Sequence, residues 1–215
     1  MFQGAPTDLP HLDHVSLVGE RAAFEEWGFR VTDTVGVANH GRVFFDRTYL
    51  EVTPPASGES ELGSRGWFLR PCNVTATADV LRAAGLAVEG PEPYRGEDGN
   101  WLDVMISNPI TTALPILTRR IDMPEGAWPP RLGEPHPNGG HRLAALHLRL
   151  RDPTPLVNLF KFLGIPSSEP GAFVFPGDER IVIETSAEGP DGIVAVVVDR
   201  AKGGPLELTV EPFED

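Results

Sequence analysis

The sequence predicts an α+β fold assembled from tandem βαβββ units, and three observations carry that expectation. Short runs of alternating apolar and polar residues recur along the 215 residues, the signature of half-buried strands. Each set of runs is interrupted once, early, by a segment of helical period. A His…Glu pair also recurs at fixed spacing: His14 and Glu51 stand 37 residues apart, and so do His147 and Glu184.

The first unit opens with the strand LDHVSLVG (12–19). The short amphipathic helix ERAAFEEWG (20–28) follows, with Phe24 and Trp27 one turn apart, and then the strands FRVTDTV (29–35), GRVFFD (41–46) and TYLEVTP (48–54). The second runs from GWFLRPCN (66–73) through the helix TADVLRAAG (77–85) to LAVEG (86–90), WLDVMIS (101–107) and LPILTRR (114–120). In the third, LAALHLRL (143–150) precedes the helix PTPLVNLFKFLG (153–164), whose Leu156, Leu159, Phe160 and Leu163 form one apolar stripe. GAFVFPG (171–177) and RIVIETS (180–186) complete it. GIVAVVVDR (192–200) and PLELTVE (205–211) leave no room for a helix between them, so they read as a truncated fourth unit.

Proline and glycine clusters at 54–60, 90–100, 124–140 and 186–192 read as loops. The resulting organisation is a first pair of units over 1–122, a Pro/Gly-rich linker over 123–140, and over 141–215 a third unit with the truncated fourth, packed with the first pair. A period of about 55–75 residues describes a duplicated domain, too long for a short-repeat solenoid.

A formal charge of -13 excludes nucleic acid as a partner, since phosphates demand clustered Lys and Arg. Cys72 is the only cysteine, which excludes an internal disulfide and a cysteine-based zinc framework. No signal-peptide pattern and no span-length apolar stretch is visible, so a cytoplasmic protein with no membrane partner is expected. No glycine-rich phosphate loop or GxSxG elbow is present.

Imidazole nitrogen and carboxylate oxygen together suit a divalent transition metal, so the pairs form either one four-ligand site (His14, Glu51, His147, Glu184) or two half-sites. Strict alternation puts His14 with Leu12, Ser16 and Val18, and Glu51 with Tyr49 and Thr53. It puts His147 with Ala145 and Arg149, and Glu184 with Arg180 and Val182. All four candidates thereby lie on the more polar face of their strands. The competing reading is four solvent-facing polar residues on half-exposed strands. The helix-ending glycine falls 14 residues after His14 (Gly28) but 17 after His147 (Gly164). Either compensating length changes keep the two pairs equivalent, or Ala145 rather than His147 matches His14.

The stretches LDHVSLVG (12–19), ANHGRVFFDRTYLEV (38–52), ALPIL (113–117) and HPNGGHRLA (136–144) resemble the glyoxalase-like proteins of the vicinal oxygen chelate superfamily, which includes glyoxalase I, extradiol dioxygenases and fosfomycin- and bleomycin-resistance proteins. The resemblance implies curved, partly closed mixed sheets around a cavity, helices on the outer face, and a metal held from first and fourth strands. It implies a Zn, Ni, Mn or Fe ion acting as Lewis acid on a small organic substrate, with Glu51 or Glu184 as catalytic base in a lyase, isomerase or dioxygenase. The second unit departs from the pattern: GWFLRPCN has no His and LPILTRR no acid. The alternative is therefore a metal-free protein that binds or sequesters a drug-like molecule. Arg149, Arg70 and Trp101 are candidate substrate contacts, Arg149 for an anion, the indole for an apolar body, and Arg70 on the same second-unit face as Trp101. His40 and His136, in the VANHGR and HPNG turns, match signature positions and are further substrate-binding candidates. A second copy of the chain is a candidate partner.

Overall fold

The computed structural model describes residues 9–34, 40–55, 62–96, 99–107, 113–123 and 134–212. The first unit is β1 (His11–Val18), α1 (Arg21–Glu26), β2 (Thr32–Asp33), β3 (Gly41–Phe44) and β4 (Tyr49–Thr53). The second is β5 (Gly63–Arg70), α2 (Val74–Ala83), β6 (Ala87–Gly96), β7 (Gly99–Ser107) and β8 (Ile116–Arg120). Together they form one mixed sheet of order β2-β3-β4-β1-β5-β8-β7-β6. Within each unit the first and last strands are parallel, because a helical crossover separates them. β1 and β5 meet antiparallel at the centre, so the second unit repeats the first in mirrored strand order.

The third unit, β9 (Gly140–Leu150), α3 (Thr154–Leu163), β10 (Ser167–Glu169), β11 (Ala172–Val174) and β12 (Arg180–Thr185), starts a second sheet. β13 (Gly192–Arg200) lies antiparallel to β9 as β5 lies to β1, and β14 (Leu206–Thr209) closes the order β10-β11-β12-β9-β13-β14. β15 (Glu211–Pro212) leaves that sheet and pairs parallel with β5 in the first.

Local chemistry explains the helix ends. The Asn73 side chain accepts from the amide of Ala76 and caps α2. Asp152 accepts from the amide of Thr154 at the start of α3, and Gly164, with φ +75°, ends that helix in the left-handed conformation. On α3 the residues Leu156, Leu159, Phe160 and Leu163 are all buried. Phe160 packs against Phe173 of β11 in the second sheet and meets Trp67 of the first sheet edge to face. One apolar cluster runs from Val15, Leu17, Trp67 and Leu69 to Leu146, Leu148 and Leu150. The sheets thus turn their apolar faces toward a shared core, and their polar faces point away from it.

Three expectations need correction. The proline-containing segment 90–96 is strand, because β6 is an edge with one neighbour, and a register shift between Glu89 and Glu92 accommodates Pro91. Serines 167 and 168 with Glu169 add β10, which the apolar pattern did not mark because all three are exposed. Of the strand expected over 29–35, the described residues 29–34 contain only the two of β2. Of the 124–140 loop, residues 124–133 lie outside the described residues.

Candidate functional site

The two His…Glu pairs occupy equivalent places. His14 lies beside Tyr49 in the parallel β1/β4 pair, and His147 lies beside Val182 in β9/β12, the same offset of 35. Each helix also begins seven residues after its histidine, at Arg21 and at Thr154. The length mismatch at the glycines is absorbed within the unit: α3 has 10 residues against 6 in α1, while 170–171 replaces 34–40 between the next two strands.

A bulge shapes the first pair. β1 advances two residues, from Leu12 to His14, while β5 advances one, from Leu69 to Phe68. The extra residue is Asp13, and the bulge reverses the expected parity. Leu12 pairs with Leu69 and joins the core with Val15 and Leu17, leaving the face of His14 and Ser16. Asp13, almost fully buried, reaches both ways: Oδ2 lies 3.1 Å from Nδ1 of His14, and Oδ1 accepts from Nη1 of Arg70 at 2.9 Å.

His14 is also held between two rings. Tyr49, His14 and Phe68 are direct neighbours across β4, β1 and β5. Their rings stack, with centroids 4.5 Å and 3.9 Å from the imidazole and both interplanar angles 13°. Glu51, one pleat along beside Ser16, lies 3.7 Å from Nη2 of the buried Arg42, whose guanidinium also stands over the Tyr49 ring at 5.5 Å. On the other flank Thr118 donates to Asp103 at 2.5 Å. Burial pushes the Asp103 carboxyl above the usual carboxylate range; Asp13 and Glu51 add to that, and the Thr118 bond and His14 oppose it. Trp101 shares the strand face of Asp103, nearly buried, with the Arg120 guanidinium 5.3 Å from its ring. Three sequence-predicted residues of the first pair of units, His14, Glu51 and Arg70, therefore converge with Asp103, and Trp101 lies one pleat away.

The remaining candidates lie elsewhere. His147, half-buried, and the exposed Glu184 sit on the polar face of the second sheet, Arg149 beside Glu184. With the shared core between the sheets, the four-ligand arrangement of His14, Glu51, His147 and Glu184 does not form. His40 is half-exposed at the start of β3, and its carbonyl accepts from the Thr34 amide at 3.1 Å. His136 is not on a pocket rim. It is buried edge-on against Phe29 and Phe45, its Nδ1 accepts from the Arg30 amide at 2.9 Å, and its Nε2 bonds the Phe44 carbonyl at 2.9 Å. Nε2 therefore carries the proton. Burial, aided by Arg30, pushes the His136 pKa down against the pull of the Phe44 bond. Asn138 beside it bonds the Trp27 carbonyl and the Gly140 amide, so this turn fastens the two sheets.

The described residues at these positions do not fit a resident metal. In the second unit Phe68 lies beside Ile116, and Thr118 is two residues on, as Glu51 is from Tyr49. Phe68 and Thr118 thus stand where the first unit has His14 and Glu51, and neither an arene nor a neutral hydroxyl replaces imidazole or carboxylate. Of the first-unit donors, one nitrogen of His14 is taken by Asp13, and Glu51 faces Arg42. Among the described residues no group of three or more His, Cys, Asp or Glu side chains is placed to hold an ion.

Sequence reasoning missed Asp13, Arg42, Tyr49 and Phe68. Simple alternation turns Asp13 into the core, and only the bulge brings it to His14.

No protein-family model matches the chain, and no curated protein matches it by sequence. Solved structures do. The fold is similar to a hypothetical protein from Staphylococcus aureus, at TM-score 0.69 and 11% identity over 96% of this chain and 100% of that one. It is similar to an extradiol ring-cleaving dioxygenase from B. fuscum, at TM-score 0.58 and 14% identity, covering 93% of this chain but 60% of that one. A Mn(II)-bound glyoxalase from Novosphingobium aromaticivorans gives TM-score 0.57 and 14% identity over 94% and 84%. The likeness is one of fold, shared with an extradiol dioxygenase and a glyoxalase. No described helix is long and apolar enough to cross a membrane.

Proposed function

We propose that this chain, with its vicinal oxygen chelate fold, binds a small organic molecule on the polar face of the first sheet without a resident metal. The observation that carries this reading is the Tyr49–His14–Phe68 stack, in which an arene occupies the position where a second metal-binding imidazole would stand. Phe68, half-buried, and the edge of Trp101 offer an apolar surface to the body of the ligand, with Tyr49 buried behind the His14 ring. Arg70, Glu51 and Asp103, all half-buried, offer hydrogen bonds to its polar end. A flat or aromatic compound with an oxygen- or nitrogen-bearing head group fits that division. Arg149, His147 and Glu184, on the other sheet, have no part in it.

Elemental analysis after anaerobic purification and reconstitution with Mn, Fe, Ni and Zn tests the metal-free half. Metal well below one equivalent is expected, and ligands from a panel of catechols, 2-oxo acids and aryl amides should raise the melting temperature equally in chelator. Trp101→Ala should weaken such binding by about tenfold, near 1.4 kcal/mol. One equivalent of metal that His14→Ala abolishes would overturn the reading and restore a metal-dependent enzyme with Glu51 as base.

The Asp13–His14 contact favours a second, catalytic version. With Nδ1–H donated to Asp13 and Asp13 braced by Arg70, the imidazole accepts a proton at Nε2, the arrangement of an oriented general base. In that version His14→Gln retains ligand binding and loses turnover; equal turnover in the variant would sink it.

A further inference from the structure

A cavity lies where the first and third units touch. It is lined by Asp46, Arg47 and Thr48 from the β3–β4 turn, Arg142 at the start of β9, and Pro176 to Glu179 between β11 and β12. Its volume of about 220 Å³ is several times the roughly 30 Å³ share of one water. Glu179 is 3% exposed, and its Oε2 is buried without a hydrogen-bond partner. The carboxylate lies over the backbone of Gly177, where a side chain would run into both oxygens. Asp178 beside it holds φ +64°, the only positive φ of a non-glycine among the described residues. Burial pushes the Glu179 carboxyl above its ordinary range, against backbone amide bonds from Glu179 itself and Gly177 and the pull of Arg142 and Arg47; the amide bonds leave Oε2 without a partner.

A native fold rarely keeps a buried oxygen unsatisfied, because such a group costs about 1–3 kcal/mol. Arg142 does not satisfy it: its Nε and Nη2 are bonded to Asp199 at 3.1 and 2.5 Å, and Nη1 faces Asp178 at 3.9 Å. Two further carboxylates, Asp46 and Asp178, are exposed at the same cavity. A bare metal ion is a poor match, since no described trio of carboxylates is close enough to hold one. An N–H donor that carries positive charge and fills more space than an ion would complement Oε2.

We propose that this cavity binds a small organic cation, through a primary ammonium or guanidinium group, with the Glu179 carboxylate as its buried acceptor and Asp46 and Asp178 at the opening. The site is separate from the polar face of the first sheet and does not rest on the function proposed for that face.

Calorimetric titration of the full chain with ethylammonium chloride and guanidinium chloride, at millimolar concentration and against matched potassium chloride, tests it. Saturable binding of at least one organic cation is expected. Glu179→Gln should weaken it at least tenfold, and Arg47→Ala, which removes a competing cation, should tighten it. If Glu179→Gln does not fold, Asp46→Asn, on the surface, should weaken binding several-fold in a folded protein. Absence of saturable binding, an unchanged affinity in Glu179→Gln or, failing that, in Asp46→Asn, or an equal response to potassium would each overturn the proposal.

Discussion

Phe160 on α3 meets the indole of Trp67 on β5 edge to face, with ring centroids 6.0 Å apart. Both side chains are nearly inaccessible to solvent; Trp67 belongs to the first sheet, and Phe160 to the helix that packs on the second. The contact makes the hydrophobic core of the first pair of units continuous with that of the third.

Removing the Phe160 ring should therefore weaken both sheets at once. Phe160→Ala is expected to cost about 3–5 kcal/mol, the usual range for a buried aromatic. Urea unfolding followed by Trp fluorescence and by far-ultraviolet circular dichroism should shift together. Two separated transitions would show that the sheets fold independently.

Asp103 should make the protein less stable as pH rises. Its folded-state pKa is raised, so its favourable contribution is complete below the unfolded value of about 4 and is lost as pH climbs through the folded value. Asp103→Asn cannot ionise. The stability of the wild type relative to this variant should fall from pH 4 toward neutrality, as read by chemical denaturation across that interval. A flat difference would contradict the burial of the carboxyl.

His136 should act in the opposite sense. Its folded-state pKa is lowered, so its contribution is present above the unfolded value of about 6.5 and is lost as pH falls through the folded value. His136→Phe strands the Arg30 amide and the Phe44 carbonyl, at about 1–3 kcal/mol for each, and should remove that part of the acid sensitivity. Melting temperatures between pH 5 and 8 report both effects.

Phe68 and Thr118 should accept metal ligands. The double variant Phe68→His, Thr118→Glu places imidazole and carboxylate where the second unit lacks them, across the sheet from His14 and Glu51. Zinc or manganese should bind it at least tenfold more tightly than the wild type by competition with a chelating dye. No gain would mean that the two units are not equivalent at these positions.

Much of this fold is legible in the residues alone. The change from strand alternation to helical period located α1, α2 and α3, and the twin 37-residue spacings reflect two parallel strand pairs with one common offset. What escaped is physical in origin. A bulge leaves the composition of β1 unchanged while turning Asp13 toward His14, so alternation alone misassigns Leu12. Pro91 and Pro93 resemble loop residues, yet an edge strand tolerates them. His136 finds its partners 106 and 92 residues away in sequence, beyond any local pattern. Which sheet would carry His147 and Glu184 depended on how the units pair, a tertiary choice that spacing does not encode.

β15 gives the chain an order of assembly. Glu211 pairs with Gly63, so β5 acquires this neighbour from residues far downstream. During synthesis the first two units can pair their own eight strands as they emerge. This side of β5 must wait until the whole third unit, β13 and β14 have been made, and closing so long a loop is slow. The last short strand thus ties completion of the first sheet to the arrival of the second.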